Sequence, residues 1–482
     1  MNIVEYIFSN ADSAAVAVIC EKEKLTYGQL SALVDSAAGQ IEASGVLHKE
    51  RAGTRIGLNC PNGLAHVVLA LAVVRSGACL VPIATELAGR ERDALAASLG
   101  LDTVLVADGA TWTQPATRQI ELDLPGLRAR ILSGLPSSSH SLLFDEDALA
   151  ALNPAFIRFS SGTTGRSKGI VLSHKSLFER VTAANERLQI GPDDRVIWIL
   201  PMAHHFAVSI MLYLLHGATT VVVNSHLAED ILSAAIEHRG TVLYGSPYHH
   251  AMLSGEPSGR AWPGLRLAVS TAAALPLQTA AAFEARYGLP LSQGLGIIEV
   301  GLPFLNDDPS KPASVGRPMP AFKAELRAAE GPVKAGEVGE LFVRGPGMLD
   351  AYVIPWRRGD EILEDGWFGT GDLGVLDEEG YLQLVGRSHS VINVAGLKCF
   401  PEEIEAVLCE HPEVAAARVS GRPHEKVGAI PVAEIVAINP ASPPSILSLN
   451  THCRGALSRY KMPVEFKFVE ALPKTASGKI KR

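Results

Sequence analysis

Ala- and Leu-rich helical patterns over residues 30–44, 64–76, 227–238 and 278–287 alternate with short apolar runs such as Thr219-Thr220-Val221-Val222-Val223 and Leu265-Arg266-Leu267-Ala268-Val269. Few architectures accept that order, and it predicts an α/β fold in which parallel-rich sheets are covered by helices. At 482 residues the chain is too long for one core, so at least two domains are expected. After Lys323 the texture changes to short strands at 340–344 and 380–385 with Gly-rich turns, which predicts a small β-rich subdomain. Beyond Gly386 it changes again. A helix over 401–409, opened by proline and acids, precedes strands near 415–419 and 432–438 and a helix over 446–458, a compact α+β unit of about a hundred residues. The expected boundaries are 1–386 for the large N-terminal domain, which includes the β-rich subdomain, and 387–482 for the small C-terminal one.

A formal net charge of -8 excludes a general nucleic-acid binder, whose phosphate contacts need a basic face. Any anionic ligand must therefore be held by a local cluster of donors. The six cysteines, Cys20, Cys60, Cys79, Cys399, Cys409 and Cys453, show no CxxC spacing. That pattern fits free thiols in a reducing compartment, so a cytoplasmic protein is expected. Residues 1–6 lack the basic and apolar regions of a signal peptide. The most apolar stretch, 65–83, contains His66, Arg75 and Gly77 and reads as a buried helix turning into a strand, not a membrane span.

One segment is built for a phosphate chain. Ser160-Ser161-Gly162-Thr163-Thr164-Gly165-Arg166-Ser167-Lys168-Gly169 combines glycines, which let backbone N–H groups converge on an anion, with hydroxyl donors and one lysine. It is not a Walker loop, because Gly165 is followed by Arg166 and not by Lys-Ser/Thr. Other ligand-directed segments follow it in order. Pro201-Met202-Ala203-His204-His205-Phe206 puts two histidines after an apolar strand, and Gln293-Gly294-Leu295-Gly296-Ile297-Ile298-Glu299 places an acid beyond a Gly-x-Gly turn. Gly369-Thr370-Gly371-Asp372 does the same with an aspartate, Gly386-Arg387 opens the C-terminal unit, Gly396 lies in Asn393-Val394-Ala395-Gly396, and the chain closes on Pro473-Lys474-Thr475-Ala476-Ser477-Gly478-Lys479.

In order and spacing these segments closely resemble the adenylate-forming superfamily of acyl- and aryl-CoA synthetases, peptide-synthetase adenylation domains and firefly luciferase, over nearly the whole chain. The resemblance implies a ligase that uses ATP and Mg²⁺ to convert a carboxylic acid to acyl-AMP, then passes the acyl group to a thiol. It also implies a mobile C-terminal domain that turns between the two steps. Carried over residue by residue, Ser160, Ser161, Gly162, Thr163, Thr164, Gly165 and Lys168 hold the β- and γ-phosphates. Ala272, Ala273, Leu295, Gly296 and Ile298 line the nucleotide, Asp372 takes the ribose hydroxyls and Arg387 reaches the ribose or phosphate side. Glu299 holds Mg²⁺, Lys479 reaches the carboxylate and α-phosphate during adenylation, Gly396 lines the thiol tunnel and His389 occupies the hinge position.

This chain departs from the family pattern at three of those places. Ile298 stands where a threonine usually donates to the α-phosphate, Leu295 where an aromatic packs on adenine, and His389 where Asp or Lys is common at the hinge. His205 falls where amino-acid-activating relatives carry an aspartate, which argues against an α-amino acid. The match of His204 to the histidine abutting the carboxyl group implies an aryl-acid type of pocket. Its expected walls are His205, Phe206, Ser209, Tyr244, Ser246, Thr271 and Gly294, a mix that suits an aromatic or medium-chain acid. The expected acceptor is coenzyme A, with the phosphopantetheine of an acyl carrier protein as the alternative, and a nucleotide-binding homologue without turnover is the remaining alternative.

Overall fold

The computed structural model describes residues 2–47, 53–136, 144–159, 168–394, 397–424, 428–473 and 480. Its contacts divide the chain into two compact units, one made of residues 1–312, 318–323 and 344–368, the other of 313–317, 324–343 and 369–482.

Two sheets organise the first unit. One has a parallel heart in the order Ser292–Ile297, Leu267–Ser270, Val242–Gly245, Arg195–Trp198, Thr219–Val222 and Val16–Cys20, with Gly301–Asn306 and Glu23–Thr26 added antiparallel at either side. The other has nine strands, with Pro154–Phe159, Cys79–Ile83, Arg55–Asn59 and Thr103–Ala107 parallel at its centre. The helix Leu64–Arg75 touches strands of both sheets, and residues 66–74 are all buried. An all-round apolar sequence is what such a sandwiched helix requires. The stretch expected to turn from helix to strand does so, Leu64–Arg75 leading into Cys79–Ile83. Among the described residues no helix is long and apolar enough to cross a membrane.

In the second unit a five-stranded sheet includes Lys323–Ala328, Val338–Arg344, Phe368–Leu376 and Leu382–Arg387. A further sheet built on the hairpin Val414–His424 with Gly428–Ala437 carries the helices Pro401–Cys409 and Ile446–Ala456, which bury Ile404, Leu408, Leu449 and Cys453 in one apolar cluster. The α/β class, the β-rich portion and the small α+β portion match the sequence reading. Two local expectations change. Gly294-Leu295-Gly296 and Gly369-Thr370-Gly371 are not turns but parts of the strands Ser292–Ile297 and Phe368–Leu376, because each pairs antiparallel with a following strand.

The helix His174–Leu188 carries the group that fixes the first unit's geometry. Arg180 is 1 % exposed, and its guanidinium donates to the carbonyls of Ile298 (2.8 Å), Glu299 (3.3 Å) and Gly347 (3.0 and 2.7 Å). Burial lowers its pKa to about 10, while Asp350 and Glu299 favour the charged form. Gly347 has to be glycine, since its φ is +65° and a Cβ there would lie 2.6 Å from Arg180 and from the Ser176 carbonyl. Replacing Arg180 with methionine strands three carbonyls. Arg180→Met should therefore lower the unfolding free energy by about 3 to 5 kcal/mol in urea titrations. Arg180→Lys should recover only part of it, as an ammonium lacks the planar fork.

Candidate active site

In an open α/β sheet, ligands bind outside the carboxyl ends of the strands where the strand order reverses. Here the chain runs from Arg195–Trp198 to Thr219–Val222 on one side, then crosses back to Val242–Gly245 on the other. The reversal sits at Trp198. Every pocket residue expected from the sequence follows or belongs to one of these strand ends: His204, His205, Phe206 and Ser209 after Trp198, Tyr244 and Ser246 at the end of Val242–Gly245, Thr271 after Leu267–Ser270, and Gly294 in Ser292–Ile297.

The chain after Trp198 is held by Asn62, whose Oδ1 accepts from the Met202 N–H (2.7 Å) and whose Nδ2 donates to the Leu200 carbonyl (2.9 Å). A helical turn Met202–His205 then opens into the π-helix Phe206–Ile210. Such insertions are frequent at functional sites. Phe206 is fully buried with its ring 5.7 Å from that of His66, and Ser209 is buried beneath it. Trp198 is the centre of an aromatic group, stacked on Tyr244 at 6.3 Å and edge-on to Tyr213 at 6.0 Å and His205 at 5.8 Å. Burial raises the pKa of Tyr244, with the Thr271 hydroxyl favouring its ionised form. The Ser246 hydroxyl is engaged with His249 Nδ1 at 2.7 Å. Gly294 is buried against Leu302 and Val269.

His204 is held neutral. Burial, and after it the charge of Arg158, lowers its pKa to about 4. Its Nε2 is enclosed without a hydrogen-bond partner among the described residues. Arg158 in turn is shifted down to about 10 by burial, and the carboxylate of Glu299 favours its charged form. Glu299 itself projects from the turn that Arg180 clasps, and its Oε1 accepts a hydrogen bond from Tyr352 Oη at 3.0 Å. Lys168 Nζ lies 4.6 Å from the centre of the Tyr352 ring, a cation–π contact. Tyr352 reaches both because Ala351–Tyr352 pairs with Gly169–Ser173, next to Pro154–Phe159. Lys168, Tyr352 and Glu299 thus form one line, with Arg158 and His204 electrostatically coupled to it.

Ala272 follows with a φ of +73°, a left-handed conformation that costs an alanine about 1 to 2 kcal/mol and tends to be kept at functional positions. Ala273 is its neighbour, and Leu295 and Ile298 are partly exposed while Gly296 is exposed on the first unit. In the second unit Asp372 and Arg387 stand opposite each other on paired strands, with Arg387 Nε 2.8 Å from Asp372 Oδ1. Gly371, at φ +73°, donates to Glu340 Oε1, and Asp372 N–H to Thr370 Oγ1. Ser160, Ser161, Gly162, Thr163, Thr164, Gly165, Gly396 and Lys479 lie outside the described residues, as does the side chain of His389. Reasoning from sequence missed Asn62, Arg158, Arg180, Trp198, Tyr213 and Tyr352. For Arg158 a signal existed, a lone charge inside the apolar strand Pro154–Phe159.

The profile of AMP-binding enzymes matches residues 8–353, and that of the AMP-binding enzyme C-terminal domain matches 403–479. The chain belongs to this family, the AMP-binding enzymes. It is an acid–thiol ligase in class, one that activates a carboxylic acid with ATP and passes the acyl group to a thiol. Among its relatives, a sulfoacetate–CoA ligase of Cupriavidus necator is 32% identical over 95% of this chain and 91% of its own length. An indoleacetate–CoA ligase of Aromatoleum aromaticum is 29% identical over 100% and 97%. ATP-bound MatB from Rhodopseudomonas palustris superposes with a TM-score of 0.84 at 25% identity, covering 100% of this chain and 97% of that one.

Because the folded pKa of His204 lies below its usual 6.5, the unfolded chain takes up that proton first, and the stability this residue contributes is complete above pH 6.5 and lost as pH falls toward 4. Between pH 6.5 and 5, His204→Gln should lose up to about 2 kcal/mol less unfolding free energy than the native chain in urea titrations, at about 1.4 kcal/mol per pH unit for one proton.

Proposed function

We propose that the acid is aromatic or medium-chain and binds at the strand ends around Trp198, Tyr244 and Phe206, with its carboxyl group against His204. The observation that carries this reading is the line of Lys168, Tyr352 and Glu299 beside a neutral His204 at the sheet's switch point. A neutral imidazole donates a hydrogen bond to the carboxylate without neutralising it, so the carboxylate oxygen stays nucleophilic toward the α-phosphate of ATP. That attack forms the carboxyl–phosphate bond and expels pyrophosphate. The thiol then attacks the acyl carbon and AMP leaves. Indoleacetate, the acid in the name of one relative, belongs to the aromatic class.

The remaining roles follow the same reading. Residues 160–165 and Lys168 wrap the β- and γ-phosphates, Asp372 and Arg387 address the ribose, and the segments at Ala272-Ala273 and 295–298 line the nucleotide. Glu299 is the protein's carboxylate for Mg²⁺. It fits a hard cation that takes one or two carboxylates and otherwise phosphate and water oxygens. Bound there, Mg²⁺ would supply charge neutralisation on the phosphates. Residues 387–482 form the mobile domain, turning at His389. Coenzyme A enters past Gly396, and a carrier-protein phosphopantetheine is the alternative thiol. The six free cysteines suit a reducing compartment, which supports a cytoplasmic enzyme.

Pyrophosphate release from ATP across a panel of aryl and fatty acids, followed by thioester detection with coenzyme A or with carrier protein, tests the reading. No acid-dependent release with any acid would end it. Lys479→Ala should lower acyl-adenylate formation by about 10² to 10³, the scale for losing one preorganised electrostatic stabiliser. It should leave thioester formation from supplied acyl-AMP far less affected, and equal loss in both half-reactions would contradict the two-orientation scheme.

Gly396→Leu separates the half-reactions in the other direction. First-turnover pyrophosphate release should persist while thioester formation fails with either thiol. A folded variant, checked by thermal melt, that makes thioester at the native rate would show that the thiol enters elsewhere.

A further inference from the structure

Three enclosed polar groups around the acid site have no hydrogen-bond partner among the described residues, and the adenylation chemistry uses only one of them. In the strand Pro154–Phe159, Ile157 and Phe159 belong to an apolar cluster on one face, which sends Arg158 to the opposite face. There its charge reaches His204 and Glu299. Arg158 makes no ion pair among the described residues, its Nε is sealed from solvent without an acceptor, and Glu299 Oε1 is occupied by Tyr352. His204 Nε2 and Trp198 Nε1 are likewise enclosed without a partner among the described residues, and Tyr213 Oη has the Ser209 hydroxyl beside it. These groups form one neighbourhood. His205, adjacent to His204, meets Trp198, and Trp198 meets Tyr213 and Tyr244.

Leaving a buried donor unpaired destabilises a fold, and leaving a buried guanidinium unpaired does so more. Several such donors in one place call for a ligand that supplies acceptors. An alkyl chain or an unsubstituted ring supplies none. The reacting carboxylate is a poor candidate for Arg158, because a bidentate guanidinium would draw electron density from the oxygen that must attack phosphorus.

We propose that the acid carries a second oxyanion, a carboxylate or a sulfonate, and that Arg158 receives it, with Trp198 Nε1 as a further donor. This rests on the ligase reading, since the pocket is that of the acid. Within the aromatic or medium-chain class it selects acids with an anionic substituent. Arg158 is then a specificity-determining residue, set where the usual pattern of an apolar strand has no charge.

The test compares acids in matched pairs: succinate with butyrate, adipate with hexanoate, phthalate with benzoate, and sulfoacetate with propanoate. For each, pyrophosphate release is measured with ATP, and binding is measured by calorimetry without ATP. In at least one pair the second oxyanion should raise kcat/KM and tighten Kd by tenfold or more, on the order of one charge-assisted pair. Preference within the dicarboxylate pairs or for sulfoacetate identifies which oxyanion is taken. Arg158→Met should abolish that preference, lowering kcat/KM and affinity for the dianion relative to its monoanion partner by that same tenfold or more, whatever change through His204 the two members share. Arg158→Lys should fall between. Without acid, Arg158→Met should melt at the native temperature or above, because an unpaired buried charge has been removed.

The proposal falls if the monoanion is preferred in every pair, or if Arg158→Met slows both members of a pair equally. It falls too if Arg158→Met unfolds or melts lower while Arg158→Lys does not, which would mark a structural cation. Turnover of monoanions alone would overturn the proposal and leave the ligase reading standing. Arg158-dependent binding of dianions without pyrophosphate release would do the reverse.

Discussion

A single buried guanidinium sets the geometry on which the rest of the first unit depends. Arg180 arrives on the helix His174–Leu188 and binds carbonyls from two distant stretches, Ile298-Glu299 and Gly347. Those carbonyls belong to irregular backbone with no ladder partner, and buried backbone acceptors must be satisfied. Only arginine offers enough donors in one plane to hold them together. Everything downstream follows from that clasp. Glu299 projects from the clasped turn, and Leu349 N–H also donates to the Glu299 carbonyl at 2.8 Å. Asp350, three residues on from the clasped Gly347, accepts from Ser173 and Ser176 at the start of the same helix. The strand carrying Tyr352 is thereby pinned within reach of Glu299 and Lys168.

Charge is arranged around this frame so that one group stays neutral. Two arginines and a carboxylate lie close enough to perturb one another, and the histidine coupled to Arg158 yields, because burial disfavours its protonated form and a proton would add a cation near Arg158. The donors at Arg158 and Trp198 that have no partner among the described residues are destabilising by themselves. Retaining them is intelligible as preorganisation: the donors already point where a ligand's acceptors arrive, and no reorganisation is needed on binding.

How much of this was readable in advance depends on whether the signal is local. The helix Pro401–Cys409 was legible because proline at its first turn, acids behind it and the 3.6-residue spacing of Ile404 and Leu408 all lie within nine residues. The helix Leu64–Arg75 was legible for the same reason, its apolar run being too short for a membrane and ended by Ser76-Gly77. The Gly-x-Gly segments were misread as turns because a glycine-rich strand has no side-chain period, and only the partner strands Gly301–Asn306 and Leu382–Arg387 reveal it. His204, His205 and Glu299 were singled out through motif order, whereas Arg180 was not. Its partners lie 118 to 167 positions away, and an arginine in an amphipathic helix reads as solvated.

Asp372 and Arg387 show the same principle from the other side. Each was visible in a short motif, yet their 2.8 Å pairing follows from register alone, as residue 372 falls opposite 387 when the two strands zip. With Asp372 buried and Arg387 half in solvent, the pair positions the carboxylate more than it stabilises the fold, since an ion pair open to water contributes little. A ligand hydroxyl competing for that carboxylate therefore displaces a weak interaction. Arg180, strongly bound, is committed to backbone, whereas Arg387 and Arg158, weakly bound or without an ion pair among the described residues, stand at positions the proposed function gives to ligands. That division follows from desolvation: a cation sealed in with its acceptors is locked, while one with a solvated or empty side remains available to an anion.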